Sequence, residues 1–255
     1  MPAMDMKRIE ALERATLSAV GSAAAEEWPG WLLGLDPGTV GRAHSAVPLS
    51  HAAPDLAALD PIEARYRSHG LTPVFRLPVL ASFGPFRAAL ERRGHAPFQP
   101  TKVMAGPADT IRRQFPGTEV VLAAAPDDAW VSLFLGEGFD PVDGAHRVRL
   151  LRRAPDALFA SVRSGGVAVA VGVGCFSHGW ASVHGMRTAP AHRGRGHAGS
   201  ILGALAAQAL ERRIDTIFLQ VDAANSAARS LYRRAGLNDI WTYEYWREKA
   251  PQPRA

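Results

Sequence analysis

Cysteine is nearly missing from this 255-residue chain, where Cys175 stands alone. One cysteine excludes an internal disulfide framework and a multi-cysteine zinc site. Its apolar neighbours mark a small core residue more than a reactive thiol. Long apolar runs are missing too: none reaches the roughly 18 residues a membrane span needs. Residues Met1-Pro2-Ala3-Met4-Asp5-Met6-Lys7 lack the basic stretch and apolar core of a secretory signal. A cytoplasmic protein without membrane partners is therefore expected. The nine histidines form no H-x-x-x-H or H-E-x-x-H pair, and no metal site is expected.

The length that remains permits two folded units. Hydrophobic residues make up 47%, which argues against wholesale disorder. Lys and Arg number 29 against 24 Asp and Glu. From residue 151 onward the count is 14 against 7, which leaves 15 against 17 for the first 150 residues. The positive charge thus belongs to the second half. A basic half suits a polyanionic ligand, either a phosphate-bearing cofactor or nucleic acid. An arginine-rich composition spread over solvated faces explains it as well. Nucleic-acid motifs and regular aromatic interleaving are missing, so nucleic acid is not the expected partner.

Apolar spacing predicts a helix from Asp5 to Ala25, broken at Trp28-Pro29-Gly30. Strands at Trp31–Leu35 and Ala43–Leu49 read as a hairpin around Asp36-Pro37-Gly38. Helices are expected at Pro61–His69 and Phe86–Arg93, with a strand at Leu71–Val79 between them. A strand at Glu119–Ala123, a helix at Pro126–Gly136 and a strand at Pro141–Leu151 complete the first half. Then come strands at Ala157–Val162, Val167–Gly174 and Trp180–Thr188, and a helix at Ser200–Arg212. A strand at Thr216–Val221, a helix at Ser226–Arg234 and a strand at Ile240–Trp246 end the series. Arg65–Leu71 echoes Leu231–Leu237, each a helix end, a glycine and a strand; a third such joint contains Gly138-Phe139. The echo suggests duplication, although any helix closed by glycine before a strand looks alike.

The most specific segment is Pro190-Ala191-His192-Arg193-Gly194-Arg195-Gly196-His197-Ala198-Gly199. It leaves an expected strand and opens an expected helix. Glycines let the main chain turn tightly and approach a ligand. Unpaired N–H groups at a helix start favour an anion there, and Arg193 and Arg195 add positive charge. The Walker loop is excluded because no Lys-Ser/Thr follows the glycines, and the dinucleotide G-x-G-x-x-G spacing is not met.

Arg193-Gly194-Arg195-Gly196-His197-Ala198 resembles the R/Q-x-x-G-x-G/A motif of the GNAT superfamily of N-acetyltransferases. Thr188-Ala189-Pro190 stands where that family has a V-x-P strand exit. The segment from Asn225 through Leu231-Tyr232 to Gly236-Leu237 resembles its second landmark, in the right order, with a strand between. The resemblance covers about Leu150 to Glu248. It implies an α/β (α+β) fold: a mixed, mostly antiparallel central sheet flanked by helices, in two tandem GNAT-like lobes divided as 1–148 and 149–255. It also implies acetyl-CoA as cosubstrate. The diphosphate would lie on the main chain of Arg193, Gly194, Arg195, Gly196, His197, Ala198 and Gly199. The pantetheine arm would lie along Met186, Arg187 and Thr188, on a strand that splays from its neighbour, with an amide near Met186 as oxyanion donor.

Asn225 and Tyr232 are seven apart, close to two helical turns, and so share a face. Asn225 can cap the helix and touch the cofactor. Tyr232 is the expected general acid toward the departing thiolate. Trp180, Ser182, His184 and Met186 share one strand face by period two. His184 is the candidate base, although a histidine merely bonded within the sheet fits as well. Related enzymes often carry a Glu near that point; its lack here leaves Asp222 and Glu244 as further candidates. His192 and His197 are expected on the phosphate side or in solvent.

The first half lacks the loop. It is expected to be a degenerate, cofactor-free GNAT-like or α/β domain that shapes the acceptor pocket. Trp28, Trp31, Phe75 and Phe86 fit hydrophobic core better than a pocket lining. Its acidic surplus raises the hypothesis of a cationic acceptor. Acetyl transfer to the amine of a small molecule or peptide, by direct attack in a ternary complex, is the expected activity. A non-catalytic acyl-CoA sensor is the alternative. Monomer and homodimer both remain open.

Overall fold

Helix α1 (Met6–Ala19) begins where the Asp5 side chain accepts the Arg8 main-chain N–H, and turns Ile9, Leu12, Ala15 and Ala19 inward. In the computed structural model, which describes residues 4–117, 119–136 and 140–249, this helix stops short of the expected Ala25. Gly21, at φ +49°, redirects the chain beneath the Leu150 carbonyl. The next residues form β1 (Ala24–Trp28), antiparallel to β2 (Trp31–Leu35). The Trp28-Pro29-Gly30 break is therefore a hairpin turn. Strand β3 (Ala46–Pro48), helix α2 (Leu59–Ser68), strand β4 (Val74–Pro78) and helix α3 (Gly84–Arg92) follow near their expected places.

Strand β5 (His95–Pro107) and helix α4 (Ala108–Gln114) have no counterpart in the sequence expectation. Pro97, Pro100 and Gln99, the last at φ +51°, interrupt the alternation that would have announced the strand. Strand β6 (Val120–Ala123) and helix α5 (Asp128–Phe134) come next. The strand expected from Pro141 to Leu151 is instead helix α6 (Pro141–Arg153). Asp140 caps it by accepting the Asp143 N–H, and Pro141 sits in the first turn, where a fixed φ and a missing N–H cost nothing. The Gly138-Phe139 joint lies outside the described residues. Then follow β7 (Ala157–Ser164), β8 (Val167–Ser177), β9 (Trp180–Thr188), α7 (His197–Glu211), β10 (Thr216–Asp222), α8 (Ser226–Arg234) and β11 (Asn238–Glu248), in the expected order.

Among the described residues eleven strands form one sheet, in the order β1-β2-β3-β4-β11-β5-β10-β9-β8-β7-β6. The β3–β4 and β9–β10 pairs are parallel and the others antiparallel. This is the mixed, mostly antiparallel sheet flanked by helices that the sequence implies. Two strands trade halves. The C-terminal β11 lies between β4 and β5, and β5 lies between β11 and β10. A division at 148/149 cuts through α6 and parts β11 from both of its partners. Trp31, Phe75 and Phe86 pack with Tyr66 and Leu77 in one core cluster, with Trp28 against it. They are core residues, as expected.

Helix α7 is held close to the segment after α4. A Cβ on Gly203 would stand 1.6 Å from the Phe115 carbonyl oxygen, and one on Gly199 2.6 Å from the Phe115 ring. The two glycines thus seat the first turns of α7 against the chain and fix where that helix begins.

Strand exchange has a consequence for the isolated halves. Residues 1–148 and 149–255 expressed apart should each lack dispersed amide NMR signals, which should appear when the two are refolded together. A well-dispersed spectrum from either piece alone would contradict the exchange.

Candidate active site

Strands β9 and β10 pair at Ala181–Ile217, Ser182–Phe218 and Val183–Leu219. Beyond these, β9 continues to Thr188 and β10 to Asp222 without pairing to each other, so the strands part after Val183. On the other edge of β9, His184 pairs with Val173 and Arg187 with Val171. Gly185, at φ +59°, and Met186 therefore stand together opposite Gly172. Two residues against one make a β-bulge, which leaves a main-chain group outside the ladder. The bulge also shifts the alternation. Trp180 packs with Phe218 and Tyr243, whereas Met186 lies over Gly172 beside Ile201 of α7. Met186 thus leaves the face on which period two had placed it with Trp180.

The gap between the strands opens into a cavity of about 230 Å³. His184, Met186 and Arg187 of β9, Gln220 of β10, and Asn225 and Tyr232 of α8 line it. Phe134, Arg147, Leu150 and Leu151 of α5 and α6, and Val20, Val40 and Arg42 of the first half, close it. Asn225 Oδ1 accepts the Ala228 N–H at 3.0 Å and caps α8. Two turns on, Tyr232 is buried, and its hydroxyl has no hydrogen-bond partner among the described residues. Burial pushes its phenol up to about 12. His184 is 4% exposed, and neither ring nitrogen is hydrogen-bonded. Burial first, and Arg42 second, hold its imidazole well below the ordinary histidine range. Gln220 Oε1 accepts from the Tyr243 hydroxyl at 3.0 Å and from Arg42 Nη1 at 3.4 Å, while its Nε2 donates to Thr16 Oγ1 at 3.0 Å.

Among the described residues no carboxylate lines the cavity. Asp222 is exposed and accepts the Ala224 N–H in the turn after β10, and Glu244 is not in the lining. The acidic surplus of the first half is likewise not in the lining; the charges that half sends into the cavity are Arg42 and Arg147. Arg147 Nε donates to Asp143 at 2.7 Å, and Arg187 Nη1 to the Phe134 carbonyl at 3.1 Å.

The glycine loop follows β9 directly. Residues Pro190–His192 make one 3-10 turn, Gly194 and Gly196 take φ +75° and +84°, and α7 starts at His197, earlier than the expected Ser200. The first bond into the helix runs from the Ser200 N–H to the Gly196 carbonyl at 3.1 Å. The N–H groups of His197, Ala198 and Gly199 therefore have no acceptor within the helix. A Cβ at Gly194 or Gly196 would meet nothing within 4 Å, so the loop is bare. Arg193 and Arg195 are exposed, and neither is paired with a carboxylate among the described residues. His192 and His197 are half-buried, with ring centroids 6.2 Å apart. Thr188 pairs with Ala170 at the end of β9, and neither it nor the loop is part of the cavity lining.

Residues 7–246 match the family described as "Probable histone acetyltransferase Rv0428c C-terminal". The chain belongs to that family. It is a GNAT-type N-acetyltransferase, an acyltransferase. Solved structures share the fold over nearly the whole length. A GCN5-related N-acetyltransferase from Kribbella flavida is 18% identical, with 98% of this chain and 97% of that chain covered and a TM-score of 0.68. A tandem GNAT protein from the clavulanic acid biosynthesis pathway is 14% identical, with 96% of each chain covered and a TM-score of 0.59. No curated protein matches.

The GNAT fold implies an acyl-CoA cosubstrate, and the bare helix start, the open glycine turn and the parted strands fit one. Among the described residues no cluster of three or more His, Cys, Asp or Glu could hold a metal ion, and no helix is long and apolar enough to cross a membrane. Sequence reasoning missed Arg42, Phe134 and Arg147. Arg42 sits in the connection between the strands expected at Trp31–Leu35 and Ala43–Leu49, read only as a hairpin turn, and α6 had been taken for a strand.

The buried histidines fix a pH dependence. An unfolded histidine titrates near 6.5, whereas His184 lies well below that and His51 at about 4, both through burial. The unfolded chain thus binds protons first as pH falls. Their stabilisation is complete above about 6.5 and is lost toward the folded values. Calorimetric Tm should fall from pH 6.5 to 5, and His51→Gln should flatten that fall. A Tm that is constant or rises over this range would contradict it.

Proposed function

We propose that the chain transfers the acetyl group of acetyl-CoA to a primary amine by direct attack in a ternary complex. One observation carries the reading. The bare amides at His197–Gly199 open beside a strand whose parted end leads to the cavity lined by Tyr232, whose hydroxyl has no hydrogen-bond partner among the described residues. The cosubstrate supplies an acetyl group activated as a thioester.

The protein's own groups do the rest. Main-chain N–H groups of Gly194 to Gly199, with Arg193 and Arg195, hold the diphosphate. Arg187 and Thr188 flank the arm, and Met186 presents its main chain at the bulge. An N–H of the bulge, outside the ladder, receives the carbonyl oxygen as it gains negative charge. Asn225 holds the start of α8, and with it the position of Tyr232. The amine nitrogen bonds to the acetyl carbon, the carbon–sulfur bond breaks, the nitrogen sheds one proton, and the sulfur gains one, so that the products are the amide and the free thiol.

At about 12, the Tyr232 phenol stays protonated throughout the physiological range. It lies above an ordinary thiol at about 8.5, so complete transfer to a thiolate is uphill. Tyr232 therefore stabilises the departing sulfur by donating a hydrogen bond and stays protonated, and the proton shed by the amine is the one that balances the thiol. His184, neutral at pH 7, can accept a hydrogen bond from the amine or from a water beside it, but its low affinity for a proton makes it a poor terminal base.

The acyl-CoA sensor remains the competing reading. A phenol with an unpartnered hydroxyl in the lining of the cavity favours turnover, since mere binding has no need of a donor there. Isothermal calorimetry should show acetyl-CoA binding. Gly196→Ala, which puts a side chain at φ +84° on the loop, should weaken it at least tenfold. Tyr232→Phe should leave binding intact and lower kcat roughly 100-fold, the scale of losing one donor to developing charge. Tight binding with no thiol release across a broad amine panel would establish the sensor instead.

A further inference from the structure

We propose that the acceptor carries a carboxylate near its amine, and that Arg42 is the residue that receives that carboxylate. The proposal rests on the acetyl-transfer reading above and names the substrate class of the same cavity.

Arg42 enters from the segment between β2 and β3, in the half without the glycine loop. That segment is rigid. The Ala43 N–H bonds the Val40 carbonyl at 2.9 Å, and the His44 N–H bonds the Gly41 carbonyl at 3.1 Å. Val40 and Ala43 are buried with Leu150 of α6 in one cluster. The half-buried guanidinium reaches the cavity, where its sole hydrogen bond among the described residues is the 3.4 Å contact to Gln220 Oε1. Gln220 is already engaged by Tyr243 and Thr16. No carboxylate pairs with Arg42, whereas half-buried Arg14, Arg65 and Arg147 each have one.

A guanidinium drawn out of water with one long bond is left uncompensated. A carboxylate is the group whose planar pair of oxygens matches the arginine fork. A second observation points the same way. His184 is buried with both ring nitrogens unpartnered and lines the same space, near enough for Arg42 to disfavour its protonation. The cavity therefore offers two unsatisfied polar side chains beside the parted strands, where the acceptor must lie.

Charge argues against a cationic acceptor. A lysine side chain or a polyamine would leave Arg42 without a counter-ion and would meet its like charge. A carboxylate on the acceptor supplies Arg42 with that counter-ion.

Thiol release should be compared between amino acids and their own amides, which differ only in the carboxylate, with spermidine and a lysine peptide alongside. The acids should show a kcat/KM at least tenfold above their amides. Arg42→Gln should collapse that ratio through KM for the acids, and Arg42→Lys should retain part of it. Calorimetry of the same acids into the protein carrying coenzyme A should show binding that Arg42→Gln weakens, without turnover. Unchanged acetyl-CoA affinity verifies that the variants are folded, and the wild-type ratio decides even if they are not. Amides, spermidine or the lysine peptide matching the acids would overturn the proposal, as would equal loss on both members of a pair in Arg42→Gln. Turnover without acid preference defeats this proposal alone; acetyl-CoA binding with no turnover on any amine defeats it together with the transferase reading.

Discussion

Everything chemical in this chain depends on β9 and β10 ceasing to pair after Val183. Parted strands leave main-chain donors and acceptors without partners, and each one buried unsatisfied costs about 1–3 kcal/mol. The fold tolerates this because the parting is one-sided. Strand β10 keeps β5 along its whole length, from Thr216 opposite Pro107 to Asp222 opposite Thr101. Strand β9 keeps β8 out to Thr188. Each strand loses one neighbour over a few residues, and the bulge at Gly185 and Met186 turns part of that loss into a feature aimed at the gap. The strand that stabilises β10, however, comes from the other half of the chain. The exchange of β5 and β11 is thus what lets the sheet open at its centre without coming apart.

How much of this was legible in the sequence follows the range of the interactions involved. The glycine loop is a short-range device: φ values above zero at Gly194 and Gly196, and the bare amides that follow, are set within ten residues. The shared facing of Asn225 and Tyr232 is equally local, being two turns of one helix. Both were readable. Strand β5 was not, because its identity as a strand comes from β10 and β11 on either side, while its prolines argue against one. Tertiary pairing overrides such local signals. The position of Met186 failed for a different reason: one extra residue at the bulge moves every later side chain to the opposite face. Helix α6 was mistaken for a strand although Asp140-Pro141 is a helix start in its own right; its apolar residues Val148, Leu150 and Leu151 are bunched near one end, which obscures the 3.6-residue period.

Arg42 illustrates the limit most sharply, since nothing near it in sequence announces a site. Its position is fixed by a polar network that draws on three separate elements. Gln220 of β10 is held by Thr16 of α1 and by Tyr243 of β11, and only then meets Arg42. Tyr243 is in turn fixed from behind, with Arg76 lying 5.0 Å from its ring and paired to Glu13 of α1 at 2.6 Å. That pair is buried, so removing either partner alone strands a charge and costs about 3–5 kcal/mol. The Arg42 end of the cavity is therefore braced by α1, β4, β10 and β11 together, whereas the glycine loop, outside the lining, is bare. A site built this way is written twice in different manners: compactly where the ligand is a diphosphate that main-chain amides can grip, and diffusely where selectivity needs side chains delivered from both halves of one sheet. Charge follows the same division. On the proposed reading Arg193 and Arg195 of the second half meet the phosphates, while the half that is acidic in composition contributes the cations Arg42 and Arg147, so net charge by segment misleads and only the lining of the cavity decides.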